Sequence, residues 1–468
     1  MVPYFPRKVA TNAIIVYLIS LAIVSVFFFR YAMLLGYVVL GISWVTAFFL
    51  MTERLSNQWR IIPEKYYLRY LFEAAVLFRL AWVVITYFYY NSVTGMPFEI
   101  DARDSVGYHD EASWLAASDW SMTWEYYFGS MFHGTSDVGY PLYLTILYKI
   151  FGPVVIIPRI IKAFLSAFTC VLLYRVTSRI VSEDMGRLAG IMCMLMPNLV
   201  IYCGYHLKET EMLFLEVAFL ERADYMLRKA KINFWDVLLP SMLALSLFFF
   251  RTVLGAAAGF ALASAVLFSN APAMKRGLKR ASLVGWGLLV VIVFGGGTIM
   301  TEIEGYWEER DENVQKKRYE QTVRGNQWAQ YATGAVMAPM VFVLPFSTMV
   351  NMPGQVAQQT KNPGNYVRNF MGFFVLLALY EMVRRKRWRD FALPVAFVVA
   401  YLGVVSMSGF SNSERFLLPG MPCLILLWTY GITTLRRPSF KLMPFWYVVV
   451  VLMEVGWAYF KVGSRGLL

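Results

Sequence analysis

Apolar runs separated by short polar segments make up most of the chain, so the hydropathy pattern predicts membrane-spanning α-helices. A helix needs about 20 apolar residues to cross the ~30 Å hydrocarbon core of a bilayer. The pattern predicts about thirteen spans, or eleven if the shortest runs do not cross. The predicted spans are 12–29, 31–51, 70–90, 159–180, 186–204, 207–226, 236–250, 252–269, 282–300, 367–383, 391–408, 416–435 and 443–460.

The segments between the spans predict the topology. Cytoplasmic loops of membrane proteins carry an excess of lysine and arginine, and the densest basic segments, such as 384–389, share one side if the N-terminus is cytoplasmic. Two long loops, 91–158 and 301–366, then face outward. Within them, the apolar pieces 139–157 and 335–350 are interrupted by glycine or proline, so we expect interfacial or re-entrant helices there.

Composition supports the membrane assignment. Hydrophobic residues make up 58% of the 468 residues and charged residues 16%, whereas soluble domains are about 25% charged. The net charge of +13 lies mostly in short loops, which reflects topology and not nucleic-acid binding. The four cysteines show no paired spacing, so neither a disulfide framework nor a zinc site is expected. The basic N-terminus lacks a small-residue cleavage site, and we expect a retained first helix.

The predicted fold class is an all-α polytopic membrane protein whose outer loops carry amphipathic helices. Four parts follow from the pattern. They are two extra N-terminal helices at 1–69, a core at 70–300 containing the outer loop 91–158, a second outer loop at 301–366 with a re-entrant or interfacial helix, and C-terminal helices at 367–468.

One polar stretch in the first outer loop carries unusual chemistry. Residues 99–116 read EIDARDSVGYHDEASWLA and hold five acids within a chain that is otherwise largely apolar. If 104–118 is helical, Asp104, Tyr108 and Glu111 share one face near the start of an amphipathic helix. A carboxylate there could accept a proton from a substrate near the bilayer surface. The plain alternatives are a helix cap, or a loop that is polar because it faces water.

The same loop begins an ordered set of motifs that resembles the GT-C superfamily of integral-membrane glycosyltransferases. The set comprises Asp104-x-x-x-Tyr108, GYPLYLTILYKIFG at 139–152 followed by PRIIKAF, and RLAGIMCMLMPNLVIYCGYHLKETEMLFL at 187–215. A late Arg-x-x-x-Pro in SERFLLPGMPCLILLWTYGI, at Arg415, completes it. The likeness covers about residues 70–436. It is greatest to the protein O-mannosyltransferase, lipid A aminoarabinose transferase and rhizobial lipopolysaccharide transferase branches.

The resemblance implies an inverting transfer of a sugar from a polyprenyl-phosphate donor to a lipid, glycan or protein acceptor. In that scheme Asp104 is the general base. Tyr108, His109 and Glu111 are the other candidate catalytic residues, although an interfacial tyrosine is also a common membrane anchor. The sequence departs from the family where the usual Asp-Glu pair reads Asp104-Ser105. The extra acids Asp101, Asp110 and Glu111 compete for the role of base.

Candidate residues for binding the donor phosphate are outward-facing cations and their neighbours. They are Arg415, Lys208, Arg103, Arg251, His206 and Glu209. Arg415 opens an apolar span, where the helix dipole disfavours a cation, so it needs an anionic partner such as a lipid phosphate. Lys208 and Glu209 could instead form an ion pair that orients the turn, and Arg251 could extend to the membrane interface.

No cofactor is expected to be obligatory. His109, His133 and His206 could join carboxylates around a divalent metal, but their spacing carries no ligand signature. The expected partners are the donor lipid, its acceptor and membrane lipids, with no nucleic acid. The expected location is the plasma (inner) membrane of a bacterium, with a cytoplasmic N-terminus and the site on the outer or periplasmic face.

Two other functions fit the same pattern less closely. A transporter or flippase of a lipid-linked substrate would ordinarily show internal repeats and broken helices, and no repeat is visible in the sequence. An enzyme like an O-antigen polymerase or ligase is chemically close but differently folded, with arginines of the outer loops doing most of the work.

Overall fold

The computed structural model describes residues 4–100, 102–129, 137–268, 340, 342–352, 355–407 and 413–463. The predicted span 282–300, His133, Asp101 and most of the loop 301–366 lie outside these ranges. The described residues are predominantly α-helical and contain no strand; an isolated bridge joins Ala32 and Val350.

The α-helices follow the predicted apolar runs closely. In chain order they are α1 (Arg7–Phe27), α2 (Leu35–Gln58), α3 (Glu64–Thr94), α4 (Arg103–Ala117), α5 (Trp120–Phe128), α6 (Gly139–Phe151), α7 (Ile156–Ile180), α8 (Glu183–Leu195), α9 (Pro197–Ile201), α10 (Glu209–Arg228), α11 (Phe234–Phe250), α12 (Thr252–Phe268), α13 (Val356–Gln359), α14 (Asn362–Arg384), α15 (Ala392–Met407), α16 (Glu414–Leu417), α17 (Met421–Thr433) and α18 (Arg437–Gly463). Short 3-10 turns lie at Phe29–Tyr31, Trp59–Ile61, Tyr202–Gly204 and Leu418–Gly420.

Within the described ranges, seven helices are long and apolar enough to cross a membrane, or eight if a bent pair forms one span. The protein is therefore a helical chain of membrane type, while the count of thirteen spans stays a prediction. Several predicted spans correspond to helices that fall short of this test. The helices α11 and α12 have 17 residues each. The helix α10 carries five acids, from Glu209 to Asp224.

The bent pair consists of α8 and α9, which meet at Pro197 with an angle of 54°. Proline has no backbone N–H and restricts the residue before it to extended conformations, so the helix ends at that point. The carbonyl group of Cys193, four residues before Pro197, therefore has no intrahelical partner. It accepts a hydrogen bond of 3.1 Å from Arg79, whose guanidinium also reaches the carbonyl of Met194 at 3.2 Å.

This arrangement explains why an arginine lies inside the predicted span 70–90. Arg79 is fully buried and completes its contacts through Ser166 of α7 at 2.6 Å. Glu73, the other charged residue of this run, lies near its start, is half-exposed and pairs with Arg69 at 2.7 Å. A spacing of six residues places Arg79 and Glu73 on different helix faces, so each has partners of its own.

The break at Pro197 also positions the residues that follow it. Asn198 donates a 3.0 Å hydrogen bond to Asn365 of α14, which fixes the first turn of α9 against a second helix. The chain then makes a 3-10 turn and enters the segment Tyr205–Glu211, which is buried throughout. The side chains of His206, Lys208, Glu209 and Glu211 thus lie in the protein interior.

Candidate functional site

The acidic stretch of the first outer loop folds as predicted. The predicted helix 104–118 is observed as Arg103–Ala117, with Asp104 in its first turn. The helix is held in place by α6, since Ala112 packs in a small apolar cluster with Tyr140, Leu144 and Tyr148. Asp104 therefore projects from a helix that is anchored on a second one.

Arg415 joins this helix to the protein interior. Its guanidinium forms ion pairs with the carboxylates of Asp104 and Glu209, residues that lie far from it in the sequence. The Asp104 side chain is 53% exposed, that of Arg415 19%, and that of Glu209 is fully buried. The anionic partners that Arg415 needs at its helix start are thus two carboxylates in this structure.

Lys208 and Glu209 do not pair with each other, although they are adjacent in the sequence. Lys208 forms an ion pair with Asp137 and donates a 3.0 Å hydrogen bond to the carbonyl of Phe250. Burial is the largest influence on Lys208 and lowers the pKa of its ammonium to about 8, against the opposing attraction of Asp137. The ammonium group is therefore still mostly charged at neutral pH.

Arg251 contacts Phe416, the residue that follows Arg415 in the sequence. Its guanidinium stacks over the Phe416 ring, 4.4 Å from the ring centroid, and donates a 3.0 Å hydrogen bond to Tyr401. Tyr401 in turn donates to the Phe416 carbonyl at 2.8 Å. Arg251 is buried, so extension of its side chain to the membrane interface does not explain its position.

We refer to six of these residues together as the Arg415 cluster: Asp104, Asp137, Lys208, Glu209, Arg251 and Arg415. The cluster contains three cations and three carboxylates: Glu209 interacts electrostatically with all three cations, Asp137 pairs with Lys208, and Asp104 pairs with Arg415. Such a group can bind an anion if the anion displaces a carboxylate from a cation. Two carboxylates, Asp104 and Asp137, are about half-exposed and therefore accessible enough to be displaced, whereas Glu209 is buried.

His109 and His206 lie in a hydrogen-bonded chain next to the Arg415 cluster. The Tyr148 hydroxyl lies 2.9 Å from His109 Nδ1 and 3.2 Å from His206 Nε2. Burial lowers the pKa of both imidazoles, so both rings are neutral at physiological pH. Among the described residues, no three His, Cys, Asp or Glu side chains are arranged to hold a metal ion. His133 lies outside the described residues, and the expectation that no metal is obligatory stays a prediction.

The remaining candidates on α4 lie at different distances from the Arg415 cluster. Tyr108 packs edge-on against the Tyr140 ring at 5.2 Å and is an electrostatic neighbour of Arg415. Glu111, one turn further, is hydrogen-bonded to Tyr127, and burial raises the pKa of its carboxyl group. Arg103 is exposed and has no ion pair within the described part of the chain.

Sequence reasoning missed several charged residues that the fold brings to this region. The missed residues are Glu99, Asp137, Arg159, Lys162, Glu211, Lys361 and Glu414. Arg159 and Lys162 stand within an apolar run, which by itself marks a residue that needs a polar partner. Lys361 lies 3.9 Å from Glu414, and its ammonium is over the rings of Tyr202 and Tyr205 at 5.3 and 5.5 Å. Nothing local to Lys361 in the sequence indicates that pairing.

Comparison with known proteins adds no assignment to this geometry. No protein-family model matches the chain, and no curated protein matches it significantly.

Proposed function

We propose that the protein transfers a sugar from a polyprenyl-phosphate donor to a lipid, glycan or protein acceptor at the outer face of a bacterial plasma (inner) membrane. One observation carries the proposal: Arg415 is ion-paired with Asp104. The resemblance to membrane glycosyltransferases predicts Asp104 as the base and Arg415 as a phosphate-binding cation, and these residues lie in contact despite their separation in sequence.

The proposed reaction is a single displacement with inversion at the anomeric carbon. Asp104 accepts the proton of the acceptor hydroxyl, whose oxygen forms the new bond to that carbon. The bond from the carbon to the phosphate oxygen breaks, and the electron pair leaves on the lipid phosphate. Arg415, Lys208 and Arg251 stabilise the negative charge of that phosphate. No metal is obligatory in this scheme.

Donor binding and base activation are linked in this proposal. The phosphate of the donor competes with the Asp104 carboxylate for the guanidinium of Arg415. Once Arg415 turns toward the phosphate, Asp104 is free to accept a proton from the acceptor. Glu209 continues to hold Arg415 from the buried side and prevents it from leaving the site.

A transporter of a lipid-linked sugar is the second candidate, and the bent pair of α8 and α9 favours it. Broken helices beside buried charges line the substrate sites of many transporters. Proteoliposomes containing donor lipid with radiolabelled sugar separate the two functions. Under the proposal, label appears in an acceptor and free polyprenyl phosphate accumulates. Movement of intact donor between leaflets, without cleavage, would support the transporter instead.

We predict that the Arg415 cluster faces the outside of the cell. The four native cysteines are buried, so introduced cysteines can be labelled over a low background. Asp119→Cys, exposed before α5, should react with an impermeant maleimide in intact cells. Lys65→Cys, exposed at the start of α3, should react only after the cells are opened. The reverse pattern would place the cluster on the cytoplasmic side.

We predict that donor affinity falls as the pH rises through about 8, because the Lys208 ammonium loses its proton there. A sugar phosphodiester keeps one negative charge throughout this range. The loss between pH 7 and pH 9 should be about tenfold if only the charged ammonium binds the phosphate. Lys208→Arg is the control, since arginine stays charged and should give a flat profile. An unchanged pH dependence in Lys208→Arg would assign the titration to another group.

A further inference from the structure

Five side chains beside the Arg415 cluster have buried polar atoms without hydrogen-bond partners among the described residues. They are Tyr140, Tyr143, Arg159, His206 and Glu211. The unpartnered atoms are the two tyrosine hydroxyls, Nε and Nη1 of Arg159, Nδ1 of His206 and both carboxylate oxygens of Glu211. Nearly all buried polar groups in folded proteins have a partner, so five such side chains in one region require an explanation.

These side chains form one group. The Tyr140 ring lies 6.1 Å from the His206 ring and 6.1 Å from that of Tyr143. Lys162 connects them to Glu211, since its ammonium lies 5.0 Å from the Tyr140 ring centroid and 3.7 Å from the Glu211 carboxylate. Arg159, one turn before Lys162 on α7, is an electrostatic neighbour of both Tyr140 and His206.

The chemistry of the group fits a hydroxyl-rich ligand better than an anion. An anion such as phosphate needs donors, which Arg159 and the tyrosines supply, but it would be repelled by the Glu211 carboxylate. A hydroxyl group both donates and accepts, and can use Glu211 and Arg159 together. The charges of the region also balance, since Arg159 and Lys162 are two cations and Glu211 and Glu99 are two acids. Glu99 lies 4.0 Å from Arg159.

We propose that this group, which we name the Tyr140 group, binds a hydroxylated sugar ring. The inference rests on the proposed function and extends it, because it places a sugar beside the residues assigned to the phosphate and the base. The tyrosine and histidine rings offer apolar faces for the C–H surface of the sugar, and the unpartnered atoms bind its hydroxyls. The ring belongs to either the donor or a glycan acceptor.

The test removes one hydroxyl at a time. Tyr140→Phe and Tyr143→Phe delete only an unpartnered oxygen, so each ligand-free variant should be as stable as the wild type or more so. Tyr430→Phe is the matched control, since its hydroxyl is also buried and unpartnered, while its ring packs on Phe391 in another part of the protein. The dissociation constants of undecaprenyl phosphate are measured with and without an attached mannose, glucose or galactose, and those of the corresponding methyl glycosides alongside.

If the sugar belongs to the donor, each of the two variants lowers the preference for the best sugar-bearing lipid over bare lipid by about 3- to 10-fold. Bare-lipid affinity and the Tyr430→Phe variant stay at wild-type values. If the sugar belongs to the acceptor, the same loss appears with a methyl glycoside instead. The proposal is overturned if both tyrosine variants keep wild-type affinities, or if the wild type discriminates no sugar at all.

A separate transfer assay keeps this inference distinct from the proposed function. If the wild type transfers sugar and both tyrosine variants keep its sugar preference, only the role of the Tyr140 group is overturned. Absence of transfer, together with a sugar preference that both substitutions reduce, overturns the transferase and supports the sugar site.

Discussion

Replacement of Asp104 by asparagine is expected to lower turnover by about 10²–10⁴-fold, the usual contribution of a general base. The amide keeps the shape of the side chain and can still accept a hydrogen bond from Arg415, but it cannot take the proton of the acceptor hydroxyl. Folding should therefore be close to that of the wild type, and donor affinity should be equal to or higher than that of the wild type, because the neutral amide competes less strongly with the phosphate for Arg415. Turnover at saturating donor, together with thermal stability and donor binding of the purified variant, measures the three effects separately.

The other acids of the same helix are the matched controls. Asp110→Asn should cost little, because Asp110 is exposed and lies almost two turns from Asp104. Glu111→Gln should lie between the two, since Glu111 is on the same face but is hydrogen-bonded to Tyr127. Near-normal turnover of a folded Asp104→Asn protein would move the base to one of these residues. Loss of folding would identify Asp104 as a structural contact instead.

Removal of the Arg415 side chain is expected to have the largest effect on stability. Arg415→Ala leaves the fully buried carboxylate of Glu209 without its ion-pair partner, a change that typically costs about 3–5 kcal/mol. The half-exposed contact with Asp104 adds little to this, about 0–1 kcal/mol. Unfolding of the purified variant in detergent, followed by denaturant titration, measures the loss.

A second substitution separates the lost charge pair from the lost side-chain volume. Glu209→Gln combined with Arg415→Ala removes both charges, so the double variant should recover most of the stability that the single variant loses. Donor affinity of the double variant should stay about 10- to 150-fold below that of the wild type, because the phosphate still lacks its guanidinium. Additive losses of stability in the double variant would show that the pair is not the source of the effect.

Local features of this protein were predictable and tertiary partners were not. The helix that carries Asp104 follows from residue spacing alone, and it is observed within one residue of its predicted bounds. The helix dipole indicates that Arg415 needs an anion, but only the fold shows that two distant carboxylates provide it. Lys208 and Glu209 show that sequence neighbours need not be partners, because these adjacent side chains at a helix start pair with different residues.

For buried charges too, the sequence indicates that a partner is needed but not which residue provides it. An arginine inside the predicted span 70–90 indicates a need for a polar partner, whereas the predicted span 186–204 passes through Pro197 without a break. The hydrogen bonds from Arg79 to the carbonyls of Cys193 and Met194, next to the break at Pro197, depend on the packing of α3 against α8. No local pattern encodes that packing. The Tyr140 group is a further case, since its residues come from three separate segments. Hydropathy also does not separate a membrane span from a helix buried in protein, since α10 lies in a predicted span and yet is largely buried and carries five acids.

The most direct test measures two products of the purified protein in the same vesicles: free polyprenyl phosphate and labelled sugar joined to an acceptor. We predict equal molar amounts of both from the wild type, and formation of both about 10²–10⁴-fold more slowly by Asp104→Asn, although that variant binds the donor lipid at least as tightly as the wild type. Donor lipid that stays intact with the wild-type protein, or an Asp104→Asn variant that forms both products at the wild-type rate, would contradict a transferase with Asp104 as its base.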